Sequence, residues 1–210
     1  GQSKRHESGG EETLKMDDTL QYYDQHAKAY VDSTRDVEFS QTQERFLQYL
    51  EPGAWILDFG CGSGRDTKYF RNRGFQVEAV DGSAEFVRIA SEYTGINVRR
   101  MLFQDLDEVE HYDGIWACSS ILHLPCAELE VVFGKMARAL RRRGIVYTSF
   151  KYGTEEGERS GRYFTNMTEA KMAGLLERIP VYDVEEMWVT FDVRPGRGDE
   201  RWLNMILRKR

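Results

Sequence analysis

Ile56-Leu57-Asp58-Phe59-Gly60-Cys61-Gly62-Ser63-Gly64 is the stretch that decides the fold of this 210-residue chain. An apolar segment with one carboxylate runs into a turn with three glycines, and a predicted helix over 65–73 follows. A strand that enters a glycine turn and opens a helix lets backbone N–H groups approach a ligand closely. The stretch therefore predicts a ligand site at the turn.

Strands and helices alternate after this turn. Predicted strands cover 54–59, 75–80, 97–103, 113–118 and 145–150, and predicted helices cover 65–73, 83–93 and 129–140, the last ending in three arginines and a glycine. Such alternation indicates a parallel α/β sheet that is buried on both faces. After a polar loop, KYGTEEGERSGRYFTN, a helix is predicted over 168–178. Strands over 184–193 and 202–208, joined by RPGRGDE, predict an antiparallel hairpin at the sheet edge.

The N-terminal part of the chain divides into a tail and two helices. Residues 1–17 are polar and charged, so we predict a flexible tail. The opening GQSKRHESGG has no apolar stretch, and we expect no secretory signal peptide. Apolar residues at helical spacing predict helices over 17–31 and 39–50. We find no repeat or linker, and predict a single domain over 18–210.

Composition excludes several classes of protein. Hydrophobic residues make up 40% of the chain, and the net charge is −6. These values exclude a collagen-like or mostly disordered chain, and the apolar runs are too short for a membrane span. The acidity argues against a surface that coats nucleic acid. Three cysteines are too few for a disulfide framework, so we expect reduced thiols and a cytoplasmic location.

The spacing of the glycines distinguishes between nucleotide cofactors. The dinucleotide pattern G-x-G-x-x-G starting at Gly60 requires glycine where Arg65 stands. An acidic residue two before the first glycine, followed by G-x-G-x-G, resembles class I S-adenosylmethionine-dependent methyltransferases. The segments VEAVDGS (77–83), FQDL (103–106), YDGIWACSSILHL (112–124) and GIVYTSF (144–150) resemble the later motifs of that family in order. One departure is Arg142-Arg143-Gly144, where the family usually has Lys-Pro-Gly-Gly. A phosphate-binding or purely structural glycine turn in another α/β protein is the alternative.

The resemblance implies a three-layer α/β/α Rossmann-like methyltransferase fold, with a seven-stranded, mostly parallel sheet and one antiparallel strand. It implies S-adenosylmethionine as cofactor and S-adenosylhomocysteine as product. Asp81, at the end of the second strand, would bind the ribose hydroxyls, and Asp105 would lie by the adenine. Asp58 would contact the ammonium group through water or directly. The helices in 18–50 would cover the cofactor. The predicted cofactor-binding residues are Asp58, Gly60, Cys61, Gly62, Gly64, Arg65, Asp81, Gly82, Ser83, Gln104, Asp105, Cys118, Tyr23 and Tyr30.

The segment after the fourth strand gives the candidate for catalysis. His123 follows that strand by five residues and is predicted to act as a general base. The alternative is a histidine that packs against the cofactor or forms local hydrogen bonds. The stretch Cys118-Ser119-Ser120-Ile121 lacks the Asn/Asp-Pro-Pro-aromatic tetrad of many amino-group methyltransferases. Cys126 follows a proline, as the nucleophile of cytosine-5 methyltransferases does, but Pro125 is better explained as the first residue of a helix.

Two late segments are rich in cationic and aromatic residues: residues 151–164, after the fifth strand, and residues 194–202, in the final hairpin. In this fold both would lie where acceptors enter and could form a lid suited to an anionic or planar acceptor. A pair of solvated, salt-bridged loops is the alternative. The predicted substrate-binding residues are Ser119, Lys151, Arg162, Tyr163, Arg197 and Trp202. The remaining histidines show no ligand spacing, so no metal site is predicted.

Three functions are consistent with the sequence. The first is a small-molecule methyltransferase, similar to compact tellurite-resistance and ubiquinone-biosynthesis-like enzymes, acting as a monomer or homodimer by in-line displacement. The second is an RNA-modifying methyltransferase, with phosphate contacts from arginines in the late loops and at the basic C-terminus. The third is a non-catalytic cofactor-binding subunit, which the intact glycine turn makes the least favoured.

Overall fold

The computed structural model describes the backbone of residues 7–210 and the side chains of residues 17–210. The helices are α1 (Glu7–Thr34), α2 (Ser40–Leu47), α3 (Arg65–Asn72), α4 (Ala84–Thr94), α5 (Cys126–Ala139) and α6 (Glu169–Arg178). The strands are β1 (Trp55–Phe59), β2 (Gln76–Asp81), β3 (Arg99–Arg100), β4 (Tyr112–Ala117), β5 (Leu140–Lys151), β6 (Glu156–Arg159), β7 (Arg162–Thr165), β8 (Tyr182–Phe191) and β9 (Arg201–Lys209).

Seven of these strands form one sheet in the order β3-β2-β1-β4-β5-β9-β8. Neighbouring strands from β3 to β5 are parallel, whereas β9 is antiparallel to both β5 and β8. The prediction of a mostly parallel sheet with one antiparallel strand is therefore confirmed. The strand order reverses between β1 and β4, and in open α/β sheets ligands bind at the carboxyl ends of the strands beside such a reversal.

Helices cover both faces of the sheet because alternate strand residues point to opposite sides. Leu57 and Ile115 belong to a core cluster that includes residues of α5 and α6. Ile56 and Trp116, their neighbours in the chain, belong to a second cluster with residues of α2 and α3. Trp116 is fully buried and stacks on Tyr147 of β5, with ring centroids 4.2 Å apart. These two apolar layers give the predicted three-layer α/β/α arrangement.

Two segments differ from the sequence-based prediction. Residues 141–143, predicted as the end of a helix, belong to β5, which begins at Leu140 and bulges against β4 before Ile145. The positive φ of Arg143, 64°, accompanies this bulge. The polar segment after Phe150, predicted as a loop, contains the two-stranded hairpin β6–β7. Its strands have only four residues each, too few to be recognised in a polar sequence.

The N-terminus also differs from its prediction. Residues 1–6 of the predicted tail lie outside the described residues, but the backbone from Glu7 onward is helical and continues into α1. The helix thus begins ten residues before the predicted start at 17, because each residue added to an existing helix gains one backbone hydrogen bond. Among the described residues, no helix combines the length and apolar character that crossing a bilayer requires.

Candidate functional site

A cavity of about 760 Å³ opens at the carboxyl ends of β1, β2 and β4. This volume lies in the usual range for small-molecule sites, ~300–1,000 Å³. Helix α1 and the start of α2 cover one side of the cavity, and the β6–β7 and β8–β9 hairpins contribute to the other. Among the predicted site residues, those that line it are Gly60, Cys61, Gly62, Arg65, Asp81, Gly82, Cys118, Ser119, Tyr23, Tyr30, His123, Lys151, Arg162, Arg197 and Trp202.

The glycine turn forms the floor of this cavity. Gly60, Gly62 and Gly64 have φ values of 87°, 53° and 86°, a region that residues with a side chain rarely adopt. A Cβ at Gly60 would lie 2.5 Å from Cβ of Ser120, whereas a Cβ at Gly62 would meet nothing closer than 3.7 Å. Gly60 is therefore required by packing as well as by conformation. Gly62 lines the cavity without a side chain, although its N–H is donated to Asp81.

Asp81 stands beside the turn with its carboxylate at the cavity. Its Oδ2 accepts the N–H of Gly62 and its Oδ1 accepts the N–H of Ser83, both at 2.9 Å. A carboxylate has about four acceptor positions, so each oxygen can take a further hydrogen bond. Burial raises the pKa of Asp81 to about 6, while the two backbone bonds oppose that rise. At pH 7 the group is an oriented carboxylate that suits a vicinal diol.

An apolar slot adjoins Asp81. Met101, Leu102 and Phe103, which follow β3, line this slot. Leu20 of α1 packs against Gly82, where an added Cβ would lie 2.7 Å from Cδ2 of Leu20. The flat space between apolar side chains suits a planar heterocycle next to the diol.

The two residues predicted to read adenine lie elsewhere. Asp105 is exposed and Gln104 does not line the cavity, because both follow Phe103 on a short 3-10 turn that directs them away. The backbone carbonyl of Gln104 instead accepts a hydrogen bond from Lys135 of α5. Their predicted positions at the slot are corrected to the preceding residues, Met101–Phe103.

Three other predicted cofactor residues support the turn from behind. Asp58 is 1% exposed and accepts a hydrogen bond of 2.6 Å from the Thr67 hydroxyl. Burial, with the neighbouring carboxylate of Asp66, raises the pKa of Asp58. Gly64 begins α3, and Ser83 caps α4 by accepting the N–H of Phe86. None of the three lines the cavity. The contact of Asp58 with an ammonium group, through water or directly, stays a prediction.

His123 lies at the cavity with both ring nitrogens engaged. Nδ1 is 2.8 Å from the carbonyl oxygen of Tyr163, and Nε2 is 2.7 Å from the hydroxyl of Tyr23. A carbonyl only accepts, so Nδ1 carries the proton and Nε2 accepts from Tyr23. Burial lowers the pKa of His123 to about 4, with Arg162 and Lys151 adding to the effect. The imidazole is therefore neutral at pH 7, and its lone pair is occupied by Tyr23.

The strand β7 determines which late residues face the cavity. Arg162 and Phe164 line it, whereas the side chain of Tyr163 between them points to the opposite side, as strand alternation requires. The predicted substrate contact of Tyr163 is therefore corrected: it contributes its carbonyl to His123 instead. Lys151, at the end of β5, completes this side with its Nζ 4.4 Å from the Phe164 ring centroid.

Two residues considered for other chemistry are placed differently. Cys126 begins α5 and does not line the cavity, and burial raises the pKa of its thiol, with Glu156 adding to the rise. Within the described residues, no group of three or more His, Cys, Asp and Glu side chains is arranged to hold a metal ion.

Comparison with known proteins agrees with this geometry. A family model described as a methyltransferase domain matches residues 56–144, the region from β1 to the bulge of β5. Residues 56–144 thus match a methyltransferase domain, the kind of domain that the glycine turn predicts. The family inferred from the glycine turn, with S-adenosylmethionine as its cofactor, is thereby confirmed.

The methyltransferase domain has relatives in both sequence and structure. It is 28% identical over 128 residues to a malonyl-[acyl-carrier protein] O-methyltransferase of Salmonella typhimurium, covering 59% of this chain and 47% of the relative. It is 28% identical over 127 residues to a 2-methyl-6-phytyl-1,4-hydroquinone methyltransferase of Synechocystis, covering 57% of this chain and 39% of the relative. The matches thus span less than half of these relatives.

A solved structure shares the fold over the whole chain. The 1,6-didemethyltoxoflavin-N1-methyltransferase of Burkholderia thailandensis, with bound 1,6-didemethyltoxoflavin and S-adenosylhomocysteine, superposes with a TM-score of 0.73 at 24% identity. The superposition covers 100% of this chain and 92% of that one.

Several cavity residues are absent from the predicted site residues, namely Leu20, Met101, Leu102, Phe103, Phe164 and Arg194. Phe164 and Arg194 belong to the two late segments that were expected at the acceptor entrance. The apolar run 101–103 at the end of a strand was the available signal, since the carboxyl edge of the sheet was already the expected site. Phe164 is two residues from Arg162, the spacing that puts both on one face of a strand. Nothing in the sequence indicated Leu20.

Proposed function

We propose that this chain is an S-adenosylmethionine-dependent methyltransferase that acts on a small molecule. The observation that carries this is one continuous cavity, with the glycine turn and Asp81 at one side and the cationic, aromatic pair Arg162 and Phe164 at the other. The malonyl-[acyl-carrier protein], hydroquinone and didemethyltoxoflavin methyltransferases to which the chain is similar also support a non-polymeric acceptor group.

On the donor side, the residues present fit S-adenosylmethionine. The side-chain-free surface at Gly62 suits the methionyl part, Asp81 the ribose hydroxyls, and the slot at Met101–Phe103 the adenine ring. S-adenosylmethionine supplies a methyl group that is already activated on a positive sulfur. The protein therefore contributes chiefly by positioning the acceptor in line with that methyl group and by excluding water.

On the acceptor side, we propose that His123 positions Tyr23. Because Nε2 of His123 accepts the Tyr23 proton, the phenol oxygen keeps a lone pair directed away from the histidine, towards Arg162, whose NH1 lies 3.5 Å from it. Burial raises the pKa of Tyr23, so the phenol stays protonated at neutral pH. A direct general-base role for His123 would require this hydrogen bond to break.

The basic segments do not favour RNA as the acceptor. In the described part of the chain, Arg141, Arg208 and Arg210 are each paired with a carboxylate, Asp113, Glu185 and Asp183 respectively. Charges that are already compensated release fewer counterions from a phosphate backbone. A salt-sensitive complex with tRNA would contradict this preference.

Transfer of a labelled methyl group tests the proposed function. The chain is incubated with methyl-labelled S-adenosylmethionine and either a low-molecular-weight metabolite extract or total tRNA. We expect label to enter the low-molecular-weight fraction and S-adenosylhomocysteine to form in equal amount. Label in tRNA alone, or S-adenosylmethionine binding without transfer to either pool, would contradict a small-molecule methyltransferase.

Replacing His123 separates positioning from proton abstraction. His123→Ala is expected to lower kcat about tenfold and to change S-adenosylhomocysteine affinity much less, because Tyr23 remains in place and loses only this hydrogen bond. His123→Gln, whose side-chain oxygen can accept from Tyr23, should restore part of the loss. With a pKa of about 4, His123 stays neutral above pH 5, so the wild-type kcat should not fall between pH 7 and pH 5.5. A tenfold decrease per pH unit below 6.5 would indicate a free histidine base instead.

A further inference from the structure

We propose that the methyl acceptor carries a carboxylate and that Arg162 and Lys151 bind it. This proposal rests on the proposed function and specifies the chemical class of the substrate. The two cations line the cavity, both lie near the ring of Phe164, and neither has a carboxylate partner among the described residues. Their neighbours in the same cavity are all compensated.

The guanidinium of Arg162 is held by rings instead of by an acid. Its Cζ lies 4.7 Å from the ring centroid of Tyr22, 4.9 Å from that of Phe164 and 5.9 Å from that of Tyr23. Its Nε is buried without a hydrogen-bond partner, and the contact of NH1 with the Tyr23 hydroxyl is long, at 3.5 Å. A buried donor without an acceptor is costly, so this N–H is poised for a group that enters the cavity.

Lys151 places a second positive charge near the Phe164 ring. Its Nζ lies 4.4 Å from the centroid of Phe164, the ring that Arg162 also contacts. Burial lowers the pKa of Lys151, and Arg162 lowers it further by repulsion, against an opposing effect of Glu200. Two partly desolvated cations that repel each other are relieved by an anion bound between them.

The other cationic side chains of the cavity each form an ion pair with a carboxylate. Arg65 pairs with Asp66 at 3.1 Å, and Arg194 pairs with Asp192 at 2.7 Å. Arg197 lies 3.7 Å from Glu200. These ion pairs form part of the cavity wall. Among the described residues, Arg162 and Lys151 are the cationic side chains of the cavity that have no carboxylate partner.

A carboxylate fits these two residues better than a spherical anion. A guanidinium is planar and presents parallel N–H groups that match the two oxygens of a carboxylate. The aromatic side chains around it, Tyr22, Tyr23 and Phe164, provide flat apolar surface for the rest of the molecule. The acceptor class is therefore a small, partly apolar carboxylic acid.

Matched pairs of acids and amides test this charge recognition. Binding of benzoate and benzamide, and of malonate and malonamide, is measured by calorimetry on the chain saturated with S-adenosylhomocysteine. We expect at least one acid to bind about tenfold or more tightly than its amide, because charge-assisted bonds replace neutral ones. Arg162→Gln and Lys151→Gln should each reduce that preference, and the double variant should abolish it.

The control variant is Arg201→Gln. The Arg201 guanidinium stacks on Tyr152 at 4.6 Å, is exposed and does not line the cavity, so the acid preference should equal that of the wild type. Equal binding of acid and amide by the wild type, or an acid preference that survives the double variant, would overturn the proposal. S-adenosylhomocysteine affinity is measured first in each protein: its absence in the wild type would refute the proposed function itself, whereas its presence without acid preference refutes only the carboxylate.

Discussion

Replacing Asp81 by alanine is expected to weaken S-adenosylhomocysteine binding by ~1–3 kcal/mol, which is roughly a 5- to 150-fold increase in Kd. The carboxylate is held by the N–H groups of Gly62 and Ser83, and its remaining acceptor positions face the cavity. Removing it would eliminate the two charge-assisted hydrogen bonds that we propose it makes to the ribose. Calorimetric titration of both proteins measures the difference.

Two comparisons distinguish a ribose contact from general damage to the turn. Adenosine should compete with S-adenosylhomocysteine better than 2′,3′-dideoxyadenosine in the wild type, and Asp81→Ala should remove that difference. Asp105→Ala is the matched control, since Asp105 is exposed and lies outside the cavity. If Asp105→Ala weakened binding as much as Asp81→Ala, the position given to the cofactor would be incorrect.

The same carboxylate makes cofactor binding dependent on pH. The pKa of Asp81 is raised to about 6, so protonation begins as the pH falls below 7 and is extensive at pH 5. A protonated carboxyl group accepts fewer hydrogen bonds, and S-adenosylhomocysteine affinity should therefore decrease from pH 7 to pH 5. Asp81→Asn should bind more weakly at pH 7 and show little of this dependence.

Replacing Gly60 by alanine is expected to lower the free energy of unfolding by ~2–5 kcal/mol and to abolish cofactor binding. The backbone has φ 87°, which an L-residue adopts only at a cost. The new Cβ would also lie 2.5 Å from Cβ of Ser120, which is fixed because its hydroxyl donates to the carbonyl of Phe59. Denaturant unfolding and calorimetric titration measure the two effects.

Gly53→Ala provides the matched control for the Gly60 variant. Gly53 has φ 76°, but a Cβ there would meet no atom within 4 Å, so this variant carries the backbone strain without the clash. It should be destabilised less than Gly60→Ala and bind S-adenosylhomocysteine normally. Adding Ser120→Gly to Gly60→Ala should recover part of the stability. Equal destabilisation at both glycines would show that packing against Ser120 contributes nothing.

The central sheet and the glycine turn were predictable because strong local signals coincide there. β1 and β4 are buried on both faces and are almost wholly apolar, and three glycines occupy positions with positive φ. The hairpin β6–β7 was not predictable. Its strands have four residues each and a polar sequence, and tertiary contacts with α1 give the strand its buried face.

The candidate site was predictable on the donor side and only partly on the acceptor side. Asp81 follows from its place at the end of a strand, whereas the state of His123 depends on partners 40 and 100 residues away in the chain, Tyr163 and Tyr23. Sequence spacing carries no information about such distant contacts. Arg194 and Arg162 differ in their local sequence: Asp192 stands two residues before Arg194 and pairs with it, whereas no acidic residue lies within three residues of Arg162. That Arg162 faces the cavity follows from the fold.

Titration of the chain with S-adenosylmethionine, S-adenosylhomocysteine and NADH in parallel is the most direct test of the donor site. The side-chain-free surface at Gly62, the carboxylate of Asp81 and the slot at Met101–Phe103 predict micromolar binding of the first two ligands and none of NADH. Binding of NADH, or failure of both sulfur ligands to bind the folded chain, would contradict the assignment of this cavity to S-adenosylmethionine.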